Sequence, residues 1–267
     1  MTDPADLPVV KEPPKDYWAA VHAAAVSQLP ICASPEYNPD EHRLFCRYVQ
    51  ARGGTFFEVG CAPGRWMAYF ARHFGMRVSG LDYVEDAVTL TLLNLQKQGL
   101  AGEVRCADFY RDDLPSGEFD VVFSRGFIEH VPDTDGVVRR IVDIARPSGG
   151  YVITTVPNFL GLNGWLRKRI FPDSYAAHVH LSPQRLRQAH EKAGVRTLFC
   201  GYCGVPVVIV RRPDFLQAAV QASLRGRIES RLLALVNGLS RRGFGALGRV
   251  PRSRLLSPTI MYIGRRG

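Results

Sequence analysis

Long apolar runs are missing from this 267-residue chain. No stretch of eighteen uninterrupted apolar residues occurs, so a membrane-spanning helix is not expected. The N-terminus lacks a cationic region followed by an apolar one, the pattern of a secretory leader, so the expected location is cytoplasmic. Cysteine is sparse. Six residues at 32, 46, 61, 106, 200 and 203 are too scattered for a disulfide scaffold and fit a reducing compartment. Cys200-Gly-Tyr-Cys203 has metal-ligand spacing, but no second pair or spaced histidine set accompanies it, and tetrahedral zinc needs two more ligands. The rest is ordinary for a globular chain, 46% hydrophobic and 22% charged, long enough for one domain with appendages.

Residues 1–15 are proline-rich and read as a disordered tail. Asp16 predicts a helix to about Ser27, and Asn38 or Asp40 a second to about Ala51. Strands and helices then alternate. Strands are predicted at 55–59, 77–82, 103–107, 119–124 and 150–156, with helices at 64–74, 84–98 and 134–146. Ser182-Pro183 opens a helix that Gly194 ends, and strands at about 195–199, 205–210 and 258–263 close the pattern. Such alternation implies a parallel sheet with helices on both faces.

The chemistry concentrates where the first strand ends. Glu58-Val-Gly60-Cys61-Ala62-Pro63-Gly64 is a carboxylate followed by a glycine-rich turn and an amphipathic helix carrying Trp66, Met67, Tyr69, Phe70 and Phe74. A dinucleotide fingerprint would put glycines at 62 and 65, which are Ala62 and Arg65, and no Gly-Lys-Ser/Thr triplet marks a triphosphate loop. A carboxylate at a strand end suits a cationic ligand better than a pyrophosphate.

These residues resemble the first motif of the class I S-adenosylmethionine-dependent methyltransferases, Asp/Glu-x-Gly-x-Gly-x-Gly, with Ala62 in place of the middle glycine. The resemblance implies a Rossmann-like, doubly wound, mostly parallel seven-stranded sheet with an antiparallel last strand, and S-adenosylmethionine as cofactor. On that resemblance, Asp82 would serve the ribose, Asp108 and Phe109 the adenine, and Ser124 and Arg125 the methionine part, with Tyr83 also counted among the cofactor-binding residues. The domain reading is N-terminal helices over 16–52, a core over 53–210, a basic insertion over 211–256, and a final strand over 257–267. Some O-methyltransferases of the family bind a metal through Glu-x-x-Glu-His. Aligning Glu129-His130 puts Gly126 at the first Glu, so no metal is expected.

A sulfonium methyl is already electrophilic, so the protein must align a nucleophile and supply a base. The candidate bases are His130, His178 and His180, each of which is also a common loop residue. The stretch Pro157–Arg169 mixes aromatics, glycines and a basic run as a lid would. Residues 211–255 hold ten arginines against Asp214 and Glu229, or +8 of the chain's formal +9. An apolar stripe of Leu216, Val220, Leu224, Ile228, Leu232, Leu235 and Leu239 runs beside them. This insertion reads as a cover for the core or a dimer partner, as a peripheral membrane contact, or as a site for an anionic acceptor. Nucleic acid is disfavoured because the arginines are not interleaved with aromatics. The expected reaction is methylation of a small or lipid- or glycan-linked acceptor, at oxygen more than nitrogen. An RNA methyltransferase and a non-catalytic cofactor-binding partner stay open as alternatives.

Overall fold

The computed structural model describes residues 28–208 and 251–267, together with 15, 19, 231, 234–240 and 242–244. All of the expected helix over 16–27 but residue 19, and most of the insertion, lie outside the described residues.

The sheet has seven strands: β1 (Thr55–Val59), β2 (Arg77–Asp82), β3 (Gly102–Cys106), β4 (Val121–Arg125), β5 (Tyr151–Pro157), β6 (Val195–Cys203) and β7 (Thr259–Arg266). Their order is β3-β2-β1-β4-β5-β7-β6, parallel except for β7, which is antiparallel to both neighbours. The helices are α1 (Pro39–Tyr48), α2 (Arg65–Phe74), α3 (Glu85–Lys97), α4 (Thr134–Ile144), α5 (Leu162–Ile170), α6 (Pro172–Ala176) and α7 (Pro183–Lys192). Successive connections leave β1 for opposite halves of the sheet, towards β2 and, by way of β3, towards β4. A crevice therefore opens above the carboxyl ends of β1 and β4, where such sheets hold ligands.

Strand alternation builds two cores. Phe56, Phe123 and Ile153 face α1 and α2 in an aromatic cluster with Phe45, Trp66 and Phe70. Phe57, Val122 and Val152 face α4 and α7. The cap predicted at Ser182 holds, its Oγ accepting from the Arg185 N–H at 3.1 Å with Pro183 in the first turn, whereas Asn38 at the start of α1 makes no side-chain cap bond.

Three expectations change. The strand expected at 195–199 runs on to Cys203 as β6; of the strand expected at 205–210, residues 205–208 are not strand, because Gly204 turns away at φ +93° and Pro206 lacks an N–H, and 209–210 lie outside the described residues. Cys200 and Cys203 therefore sit three apart on one strand, facing opposite sides. The second N-terminal helix stops at Tyr48, where Val49 is extended. The lid-like stretch after β5 is ordered into α5 and α6.

Candidate functional site

Glu58, Arg125 and Thr155 share strand parity with Phe56, Phe123 and Ile153, so all three project from adjacent strands onto one face at the sheet's carboxyl edge. Each leaves a buried polar atom without a hydrogen-bond partner: Glu58 Oε2, Arg125 Nη1 and Thr155 Oγ1. Glu129 Oε2, from the 3-10 turn Ile128–His130 that follows β4, is a fourth. Buried polar atoms are normally paired, so four orphans around one crevice mark where a ligand binds. Burial drives the Glu58 carboxyl well above its ordinary range, with the Met67 N–H and the Arg125 charge opposing.

The turn after β1 is shaped by Gly60 at φ +67° and Gly64 at φ +78°. A side chain at Gly64 would also strike Thr91 Cγ2 at 2.8 Å. Ala62 is absent from the left-handed positions, so the missing middle glycine costs the turn nothing. Cys61 is buried beneath this loop against Gly80, where an added Cβ would lie 2.9 Å from its own, and burial raises its thiol pKa. Asp82, buried at the end of β2, accepts from the Val84 N–H at 3.2 Å and the Ala62 N–H at 3.4 Å. It thus ties the glycine loop to the second strand. Tyr83 beside it is half-buried.

Asp108 follows β3, its Oδ1 accepting from the Tyr110 N–H at 2.8 Å and its Oδ2 lying 3.7 Å from Arg111. Phe109 is buried edge-on against Phe127 with ring centroids 5.0 Å apart. Ser124 points to the opposite face, where Ser124 Oγ, Thr154 Oγ1 and His190 Nε2 form a buried chain at 3.4 and 2.9 Å. Its side chain is committed to the core, leaving its backbone to the crevice.

All three candidate histidines meet at the other side of the crevice. The Val179 N–H donates to the Glu129 carbonyl at 2.7 Å, which brings the loop before α7 against the turn after β4. The rings of His130 and His178 are 4.6 Å apart, and Phe159 lies 4.9 Å from His178 and 5.4 Å from His180. His178 Nδ1 bonds the Ser174 carbonyl, and His180 Nε2 bonds the Tyr175 carbonyl at 2.8 Å. A carbonyl only accepts, so His178 carries its proton on Nδ1 and presents a lone pair at Nε2, while His180 presents Nδ1. Burial, reinforced by neighbouring charge, lowers His130 to about 3 and His178 to about 4. Burial raises Glu129 to about 8.

Phe159, Thr155 and Arg167 were not individually picked out from the sequence, and Glu129 was read only as the neighbour of His130 in Glu129-His130. Phe159 and Arg167 lie in the stretch read as a lid, whereas a threonine within a strand carries no signal of its own. Gly126 adopts φ +65°, a conformation a glutamate would strain to hold, so the departure from Glu-x-x-Glu-His is built into the backbone. Among the described residues no group of three His, Cys, Asp or Glu side chains could hold a metal ion.

Residues 57–153, which carry β1 to β5, match a family described as "Methyltransferase domain". This segment is therefore similar to a methyltransferase domain, in line with the family resemblance of its glycine-loop motif. It is 30% identical over 129 residues to a ubiquinone biosynthesis O-methyltransferase of Pseudomonas paraeruginosa, covering 45% of this chain and 55% of that protein. It is 29% identical over 102 residues to phosphoethanolamine N-methyltransferase 3 of Arabidopsis thaliana, covering 38% and 21%. The chain thus spans about half or less of these relatives' lengths. Among solved structures, a Haemonchus contortus phosphoethanolamine N-methyltransferase 2 matches with TM-score 0.54 and 18% identity over 84% of this chain and 52% of that one. The [4+2]-cyclase SpnF matches with TM-score 0.60 and 16% identity over 96% and 98%. The fold alone therefore hosts more than one chemistry.

The residues around the crevice fit S-adenosylmethionine. A buried, unpaired carboxylate oxygen on Glu58, a loop that two left-handed glycines keep free of side chains, and a second carboxylate on Asp82 suit a cationic nucleoside ligand.

Proposed function

We propose that this protein methylates a hydroxyl group on a small-molecule acceptor. The observation that supports this is His178, whose Nδ1–H is anchored on the Ser174 carbonyl so that Nε2 is available as a base beside His130 and Phe159. Bound S-adenosylmethionine supplies an electrophilic methyl group. Glu58, Asp82 and the Gly60–Gly64 loop hold that cofactor on the β1 side of the crevice, with Asp108 and Phe109 at its far end. Phe159 and the histidine rings form the wall for the acceptor. His178 Nε2 takes the hydroxyl proton as the oxygen attacks. Burial keeps the ring neutral, with its Nε2 lone pair unprotonated, throughout the physiological range. Exclusion of water by Phe159 and Tyr175, which pack against His178 and His180, protects the methyl group from hydrolysis.

Arg167, half-buried on α5 with its guanidinium 5.5 Å from the Phe159 ring centroid, adds a positive charge felt by Glu129, His130 and His178. Together with Arg125 it supports an acceptor bearing an anionic group or reacting as an oxyanion, a feature that a phosphoethanolamine-like amine would share.

Labelled S-adenosylmethionine, presented with phenols, aliphatic alcohols, carboxylates and phosphorylated amines, tests the reading. Label in a hydroxyl acceptor, lost in His178→Ala, is the expected result. Transfer only to amines, or full turnover by His178→Ala, would overturn O-methylation by this base.

A further inference from the structure

Nine large hydrophobic side chains are exposed among the described residues, and seven lie in three segments: Trp165 and Ile170 on α5, Leu235, Val236 and Leu239 in the helical stretch 234–240, and Leu255 and Leu256 in 251–256. Hydrogen bonds stitch these segments together. The Leu162 N–H donates to the Leu255 carbonyl at 2.9 Å, and the Asn158 amide to the Arg254 carbonyl at 2.8 Å. The Asn163 amide reaches the Val207 carbonyl at 2.9 Å, and the Asn237 side chain brackets the Val208 backbone at 2.8 and 2.9 Å. The apolar side chains therefore belong to one layer beside the carboxyl end of β5.

Helix α5 has two working faces. Arg167 turns to Phe159 and the histidines, while Trp165 and Arg169, one helical turn apart and 4.6 Å from ring centroid to guanidinium carbon, face outward. No Asp or Glu occurs within 162–170, 234–240 or 251–256, whereas Lys168, Arg169 and Arg254 are exposed there. An apolar patch with a tryptophan and a cationic rim, interrupted among the described residues only by the exposed Asp173 just beyond α5, complements a negatively charged lipid surface. A second copy docking face to face would oppose two rims of like charge. No helix among the described residues is long and apolar enough to cross a membrane, so the contact is peripheral.

We propose that α5, residues 234–240 and residues 251–256 seat this protein on an anionic phospholipid bilayer, with the mouth of the acceptor pocket at that surface. The acceptor is then an amphiphile drawn from the bilayer, a step that rests on the methyl-transfer reading, whereas the docking itself does not.

Co-sedimentation of the full chain with phosphatidylglycerol/phosphatidylcholine vesicles, and with phosphatidylcholine alone, tests the docking. Pelleting with the anionic vesicles is expected to be about tenfold stronger and to fall at high salt. The double variants Leu255→Ser/Leu256→Ser and Lys168→Glu/Arg169→Glu should each lose about tenfold in pelleting, with S-adenosylhomocysteine affinity unchanged to show that they are folded. No pelleting with anionic vesicles, or parent-like pelleting by both variants, overturns the proposal. A concentration-dependent dimer abolished by the leucine changes would also overturn it, assigning the face to a second copy. Vesicle binding without methyl transfer to any lipid fraction would remove the amphiphilic acceptor and leave the docking intact.

Discussion

Glu129 holds a carboxyl group that is neutral where most carboxylates are charged, and its consequence has a definite sign. Its folded pKa of about 8 stands above the unfolded value of 4.5, so between those values the unfolded chain releases a proton that the folded chain keeps. Folding stability falls across that window by up to about 1.4 kcal/mol per pH unit. Glu129→Gln should therefore unfold at the same temperature as the parent at pH 4.5 and at a higher one at pH 8, as thermal melts would show. Asp82 gives a second residue-level prediction. Losing its hydrogen bonds to the Val84 and Ala62 N–H groups loosens the loop. Asp82→Ala should weaken S-adenosylhomocysteine binding by about 2 kcal/mol, some thirtyfold, in calorimetry. His178→Ala should lower kcat by about 100-fold or more with little change in KM. A structural role alone would instead appear as a loss of thermal stability with kcat retained.

At the level of elements, the buried Asp40 carboxylate on α1 shows how the segments after β6 are held. It accepts from the Gly204 N–H at 3.0 Å and from Arg252 at 2.8 Å, joining three stretches of chain. Asp40→Ala leaves the Gly204 N–H unpaired while the partly exposed Arg252 turns to solvent, and should cost about 1–2 kcal/mol in denaturant titration. Asn94 acts likewise, bracketing the Ile31 backbone at 2.8 Å on both sides and donating to the Pro63 carbonyl at 2.7 Å. The sequence made most elements legible because their apolar period was clean and their ends were marked, as in Ser182-Pro183 and Gly64. It hid α5, whose Gly161-Leu-Asn-Gly opening has the composition of a loop. It misled at Val205-Pro-Val-Val, where β-forming side chains follow a left-handed glycine. At the site, Glu58, Asp82 and the three histidines were legible from their types and positions. The Val179–Glu129 bond that unites the histidines is a backbone contact, to which side-chain identity gives no clue.

For the whole molecule, pH response follows from groups distributed through both halves. Burial lowers His130, His178 and His190 to about 3, 4 and 4, so each is neutral in the folded chain and charges in the unfolded chain below about pH 6.5. Their contribution is fully present above pH 6.5 and is lost as pH falls towards 4. The raised Glu58 and Glu129 act in the opposite direction above about pH 4.5. Stability should peak near pH 6.5, decline gently to pH 4.5 and steeply below it, which melts across a buffer series would reveal. Cys203 and Thr259 are direct partners across the β6–β7 ladder, and Gly204 packs against Pro258. The chain leaves the sheet after Cys203 and re-enters it at Thr259, at adjoining points. The ladder would close as well over a short hairpin as over this long excursion. The chain is thus modular at that position: the segment between Cys203 and Thr259 can be exchanged as a cassette without altering the ladder.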